Sequence, residues 1–197
     1  MQVLLVVSHP RRNSLTHAAS EALAEGLHEA GHRTTLADLC REGFDPVLRE
    51  PDEPDWQQDK TYSAEVEREM QRIREHQAIA MVFPLWWWSL PAMLKGWIDR
   101  VWNRGFAYGP RDLAGTKSLM VALTADSEAG LAKRGYREAI RVSLQVGILD
   151  YCGMKDGRLA LLTGSLDGPE RQQALVQEAR QLGRDWLAKE QAQGSQG

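Results

Sequence analysis

The sequence predicts a doubly wound α/β fold: five parallel strands in the order 2-1-3-4-5, with helices on both faces. Two observations carry this expectation. Short apolar runs alternate along the chain with longer stretches of helical periodicity, which is the β-α-β rhythm of a parallel sheet. One stretch, Ala78–Gly109, shows the whole unit at once, an apolar run closed by a proline, an aromatic turn and an amphipathic helix. In open sheets of this kind ligands bind beyond the carboxyl ends of the strands, where the strand order reverses between the first and third strands.

Val3–Val7 is a continuous apolar run with no polar alternation, as expected of a strand buried on both faces. The polar loop Ser8–Ser14 follows. Leu15, Ala19, Ala22, Leu23, Gly26, Leu27 and Ala30 then recur at helical spacing, and Gly31 stands where a left-handed residue ends a helix. His32–Leu39 is the second strand. The loop before the helix carries neither a Gly-x-Gly-x-x-Gly pattern nor a phosphate-loop lysine. Any phosphate there would be held by Asn13, Ser14 and Thr16 side chains with the free N–H groups of the helix start, and ordinary capping by Asn13 or Ser14 is compatible with that.

Cys40–Ser63 is polar and acidic, interrupted by Pro46, Pro51 and Pro54. It is too long for a turn, yet Phe44, Val47, Leu48, Trp56 and Tyr62 give it enough apolar surface to pack. We expect an excursion (about residues 40–63) that folds back on the sheet edge or on a second subunit, within a single domain spanning 1–197. A helix with Val66, Met70 and Ile73 inward leads into the third strand, Ala78–Phe83. After the loop Pro84-Leu85-Trp86-Trp87-Trp88-Ser89, Pro91 is expected as the first helical residue, where a missing N–H costs nothing. Leu90, Leu94, Trp97, Ile98 and Val101 form that helix's apolar face. Three consecutive tryptophans cannot all enter one core, so at least one should face solvent or a ligand. Trp97 and Trp102, at helical spacing, belong in the core. Lys117–Thr124 is the fourth strand, Thr124–Gly130 a loop, about Tyr136–Leu149 a helix and Leu159–Thr163 the fifth strand. Asp167, Pro169 and Glu170 open a last helix with Leu175, Ala179, Leu182 and Trp186 inward, and Gln191–Gly197 is a frayed polar tail.

Composition narrows the function classes. At 197 residues, 43% apolar and 26% charged with a formal net charge of −3, the chain has the composition expected of a soluble globular protein and offers no footprint for nucleic acid or an anionic membrane. Cys40 and Cys152 match no metal or redox spacing and are expected as reduced thiols, which with the absence of a leader-like start points to the cytoplasm. The histidines show no ligand spacing, so no metal is expected, and no catalytic side chain is assigned.

The run FPLWWWSLPAMLKGWIDRVWNRGFAYG resembles the signature of the flavodoxin-like NAD(P)H:quinone oxidoreductases, and the likeness extends from Val3 to about Leu162. It implies a flavodoxin-like fold and two-electron reduction of quinones or similar acceptors by NAD(P)H, in ping-pong fashion through a bound flavin. FAD is the first choice, since the long excursion and the likeness at Ile148–Gly153 point to these quinone oxidoreductases, and FMN is the alternative, because no residue is a firm adenine contact. His9 and Ser14 resemble the loop that holds the flavin phosphate, with Asn13, Leu15 and Thr16 beside them. Pro84, Leu85, Trp86, Trp87 and Trp88 correspond to the aromatic ring loop, Thr124, Ala125 and Asp126 to the loop that meets the polar edge of the ring. Trp87 and Tyr108 are the substrate-facing candidates. A homodimer built around the aromatic segment is expected. A related flavoprotein serves a potassium efflux channel, so an ancillary role on a membrane channel is the alternative function; a single-electron carrier fits less well.

The resemblance fails in one loop. The family commonly has Thr-Thr-Gly-Gly where this chain has Thr124-Ala125-Asp126, and a carboxylate facing the ring would disfavour an anionic reduced flavin. The tyrosine and histidine that assist proton transfer in mammalian-type relatives fall near Leu131 and Arg137, so neither role is carried over.

Overall fold

The computed structural model describes residues 1–53, 60–109, 113–154 and 156–187. The strands are β1 (Gln2–Val7), β2 (Arg33–Asp38), β3 (Ala78–Pro84), β4 (Lys117–Thr124) and β5 (Arg158–Thr163). They form one five-stranded sheet in the order β2-β1-β3-β4-β5, every pairing parallel. The helices are α1 (Leu15–Glu29), α2 (Leu39–Glu42), α3 (Ala64–Arg74), α4 (Ala92–Val101), α5 (Glu128–Lys133), α6 (Tyr136–Ile140) and α7 (Pro169–Trp186). No helix among the described residues is long and apolar enough to cross a membrane.

Strand pleating sorts the core into two layers. Val3 and Leu5 of β1 point to one face, where α1 and α7 cover them with Leu23, Leu27, Leu175 and Trp186. Leu4 and Val6 point to the other, against Met70 of α3 and Leu94 and Trp97 of α4. Both faces are closed, which is why β1 and β3 read as unbroken apolar runs. Helices α1 and α7 touch backbone to backbone at Gly26 and Gly183, where an added Cβ would run into Arg180 O and Leu23 O. As expected, Gly31 is left-handed (φ 82°) just past α1, and Trp97 and Trp102 are buried.

Four local expectations are corrected. Pro91 is the cap of α4 and Ala92 its first residue; Leu90 lies before the helix but still enters the core. The excursion, expected to fold back on the sheet edge or on a second subunit, folds back on a helix of its own chain. It contains α2 and a 3₁₀ turn at Glu50–Asp52, and it packs on α4: Phe44 is buried, and Pro46 sits so close to Gly96 that no Cβ fits between them. Val47 and Leu48, counted among its packing residues, are exposed, while Pro54 and Trp56 lie outside the described residues. The loop after β4 is partly helical, since Ser127 caps α5 by accepting the Gly130 N–H. The helix expected over Tyr136–Leu149 begins after a left-handed Gly135 and passes into a π-helix at Arg141–Asp150; its wider i→i+5 bonds continue as Tyr151 N–H to Val146 O at 3.2 Å. The polar tail at 191–197 lies outside the described residues.

Candidate functional site

The carboxyl ends of β1, β3, β4 and β5 meet in a cleft of about 440 Å³. Its first wall is the start of α1. Ser14 is the cap (φ −101°, ψ 156°), its Oγ accepting the His17 N–H at 3.2 Å, and Leu15 and Thr16 supply the first two N–H groups of the helix, which have no intrahelical acceptor. His9, Arg11 and Asn13 complete this wall. Such a helix start favours a negatively charged group.

The second wall is the loop after β3. Pro84, Leu85 and Trp86 line the cleft, and the His9 and Trp86 rings meet at 5.7 Å. Leu85 N–H donates to Leu123 O at 2.7 Å and ties this loop to β4. The loop turns tightly: Trp87 and Trp88 both take left-handed backbone (φ 51° and 60°), and Ser89 N–H closes on Trp86 O at 3.1 Å. Two successive left-handed tryptophans cost about 1–2 kcal/mol each, so surrounding contacts must hold them there. Trp87 is 94% exposed. Trp88 stacks on Tyr136 of α6, with ring centroids 4.0 Å apart.

The third wall comes from β4 and β5. Ala125 lines the cleft with only a methyl group, so backbone is accessible there. Thr124 is buried, its Oγ1 accepting the Asp126 N–H at 3.2 Å. The Asp126 carboxylate is absent from the cleft lining. It accepts the Ser127 N–H at 2.8 Å and pairs with Arg134 Nη1 at 3.1 Å, so its charge is matched on the α5 side rather than presented to a ring. Backbone bonds from Gly164 N–H to Asp126 O and from Ser165 N–H to Thr124 O lock this loop to the one after β5.

Of the residues selected from sequence, His9, Asn13, Ser14, Leu15, Thr16, Pro84, Leu85, Trp86 and Ala125 line this cleft. Trp87, Trp88, Thr124 and Asp126 lie in the same loops without lining it. Tyr108 lies elsewhere, in a groove of about 350 Å³ with Leu48, Ile98, Trp102, Ile148 and Tyr151. Its ring meets Tyr151 at 5.5 Å, and burial raises its phenol above the ordinary value. Sequence reasoning missed Arg11, Leu123, Ser165, Leu166 and Gln172 of the cleft, and Tyr136 beside Trp88. Arg11 and Leu123 flank segments already selected. The loop after β5 carries no motif, and Tyr136 stands one residue from the Arg137 reached by counting.

The electrostatics of the first wall are specific. Burial, chiefly, pushes the His9 imidazole below its ordinary value, so the ring is neutral at neutral pH. Its Nδ1 accepts the Arg11 N–H at 3.0 Å, which leaves the proton on Nε2.

The chain matches the family model described as "Flavodoxin-like fold" over residues 1–185. It is 38% identical over 189 residues to an uncharacterized NAD(P)H oxidoreductase, YcaK, of Escherichia coli (strain K12), covering 92% of this chain and 96% of that protein. The ribosyldihydronicotinamide dehydrogenase [quinone] of Mus musculus is 29% identical over 179 residues, 78% of each chain. Among solved structures, an NAD(P)H:quinone oxidoreductase from Methanothermobacter marburgensis superposes with a TM-score of 0.87 at 30% identity, over 95% of this chain and 96% of that one. With the sheet order, the strand-end cleft and these likenesses in agreement, the chain belongs to the flavodoxin-like family of NAD(P)H:quinone oxidoreductases.

Proposed function

We propose that this chain is a flavin-dependent NAD(P)H oxidoreductase that reduces quinones or related acceptors by two electrons. The observation that carries the reading is the convergence of three different surfaces in one cleft: the start of α1, the Leu85–Trp86 wall and the small-residue edge at Ala125. A flavin nucleotide needs all three, namely donors for phosphate, an apolar face for the ring and exposed backbone for the ring's polar edge. The residues present fit it. Asn13, Ser14 and Thr16 with the N–H groups of Leu15 and Thr16 would hold phosphate, Leu85 and Trp86 would carry the ring, and no side chain larger than a methyl blocks Ala125.

A flavin held there would supply the hydride-transfer chemistry between NAD(P)H and the second substrate. The chain's part is positional. The Leu85–Trp86 wall excludes water from one side, neutral His9 offers its Nε2 proton as a donor, and the left-handed turn sets the exposed Trp87 indole where a flat acceptor can stack. With Leu85 and Trp86 against one face of the ring, both substrates would use the other face and bind in turn, a ping-pong scheme. FAD is the preferred form, with FMN the alternative: Ser165, exposed Leu166 and Gln172 extend the cleft past the start of α1, where an adenosine half would lie. Cys40 and Cys152 are thiols rather than disulfides, which suits the cytoplasmic setting that an NAD(P)H enzyme uses. The groove around Tyr108, Trp102 and Tyr151, with exposed Leu48, Val142 and Val146 nearby, supports pairing with a second copy. Among the described residues no surface singles out a channel partner.

Initial rates with NADPH and menadione test the reading. Parallel double-reciprocal lines are expected, and flavin-loaded protein that turns over neither NADH nor NADPH with any quinone would overturn it.

A further inference from the structure

Ser14, His17 and Asp38 form a hydrogen-bonded line from the cleft wall into the protein. Ser14 Oγ lies 2.8 Å from His17 Nδ1, and His17 Nε2 lies 2.9 Å from Asp38 Oδ2. All three residues are more than nine-tenths buried, at 6%, 6% and 4% exposure, so water does not compete for these bonds. Asp38, at the end of β2, is paired with Arg41, whose Nε lies 3.0 Å from Oδ2 and whose backbone N–H donates to Oδ1 at 3.2 Å. A carboxylate only accepts, so His17 Nε2 carries a proton. In a neutral ring Nδ1 is then an acceptor, and the Ser14 hydroxyl has to donate to it. The one proton on Ser14 Oγ is thereby turned inward, away from the cleft that Ser14 lines.

That arrangement conflicts with an anion in the cleft, because it leaves Ser14 with no donor to offer. One added proton removes the conflict. With both ring nitrogens protonated, Nδ1–H donates to Ser14 Oγ, the His17 backbone N–H already fills the other lone pair, and the hydroxyl proton is released toward the cleft. Only the hydroxyl rotates.

We propose that Ser14–His17–Asp38 is a proton relay coupling anion binding in the cleft to protonation of His17, with His17 a positioning residue for the Ser14 hydroxyl. The proposal rests on the reading of the α1 end of the cleft as a phosphate subsite. A proton from solvent enters as the anion binds, and no other bond changes. Asp38 is the charged group in contact with the ring, and Arg41 contacts Asp38 in turn. His9 faces His17 from the loop after β1, ring centroids 6.3 Å apart, and burial disfavours its own protonation. Cys40 of α2 lies beside Asp38, and its thiol is pushed up by burial and by that carboxylate, so it stays neutral. Arg11, beside His9, adds positive charge that favours the anion more directly than the relay. Affinity for a phosphate dianion should therefore rise as pH falls, until the phosphate takes its own proton near about pH 6.

The test uses the full chain with ¹⁵N-labelled histidine at about pH 7.5, above the ordinary imidazole range, titrated separately with inorganic phosphate and with FMN. Chain purified with flavin already bound is read directly as the saturated state. The expected result is that anion binding moves His17 Nδ1 from an acceptor to a protonated nitrogen, while His28 and His76, which bond Thr34 and the Arg72 carbonyl, do not respond. Affinity should fall by up to roughly tenfold per pH unit above neutrality, and His17→Gln should bind more weakly and lose that slope. A neutral His17 in the saturated protein, or an unchanged slope in His17→Gln, would reduce His17 to a structural neighbour of the cap and overturn the proposal. If His17→Gln does not fold, the ring nitrogens of the unsubstituted chain decide alone. FMN bound with His17 neutral would overturn the relay and leave the flavin reading standing. Phosphate that protonates His17 in a chain that refuses both FMN and FAD would do the reverse, and failure to bind either anion would overturn both.

Discussion

Trp87 shows how a single residue can be costly and kept. It holds a left-handed backbone with its indole almost wholly exposed, so it contributes strain and no burial. Asparagine tolerates that backbone better. Trp87→Asn is therefore expected to stabilise the fold by about 1 kcal/mol in urea unfolding while raising KM for menadione. A destabilised variant would mean that the indole packs on something, a second copy being the nearest candidate. The same scale explains what could be read in advance. Ser14, Thr16, Leu85 and Ala125 were legible because the end of a buried apolar run marks a strand end, and strand ends form the cleft. The orientation of Asp126 was not, because it depends on Arg134, eight positions further along and beyond a helix that the sequence does not announce.

At the scale of elements, the excursion is fastened by one buried cation. Arg100 of α4 places Nη2 2.7 Å from Asp52 Oδ2 and Nη1 2.6 Å from Glu65 Oε2, and it also donates to the Asp45 carbonyl. Removing one member of such a pair strands the other, so Arg100→Met should cost about 3–5 kcal/mol. Burial alone would raise the Asp52 carboxyl, but bonds from Arg100 and Ser63 outweigh it and hold the group below its ordinary value. A carboxyl lowered in the folded state stabilises above the ordinary carboxylate range, and that contribution is lost as pH falls through the lowered value. Thermal unfolding of Asp52→Asn should accordingly show a shallower decline below about pH 4 than the unsubstituted chain. Equal slopes would place the acid sensitivity elsewhere. The excursion's packing was only half legible for the same reason: its apolar residues suggested burial, but the charged pair that decides where it docks is 48 residues apart in sequence.

At the scale of the whole molecule, the sheet order was legible because β1, β3, β4 and β5 read as apolar runs set between helical periods, with β2 the polar exception, whereas the second groove was not, since it needs α4 and the π-helix side by side. That groove holds two buried polar atoms without a hydrogen-bond partner among the described residues, Trp102 Nε1 and Asn103 Oδ1. Light scattering at micromolar concentration is expected to give the mass of a dimer, and Tyr151→Glu, which places charge on the exposed groove rim, to give a monomer; a monomeric parent would remove the groove from the account. If the strand-end cleft is a flavin site, the cofactor itself reports it. Absorbance of the purified chain, followed by mass spectrometry of what heat releases, should find one flavin per chain, and Ser14→Ala should weaken its retention. A colourless chain that takes up neither FAD nor FMN would contradict the account.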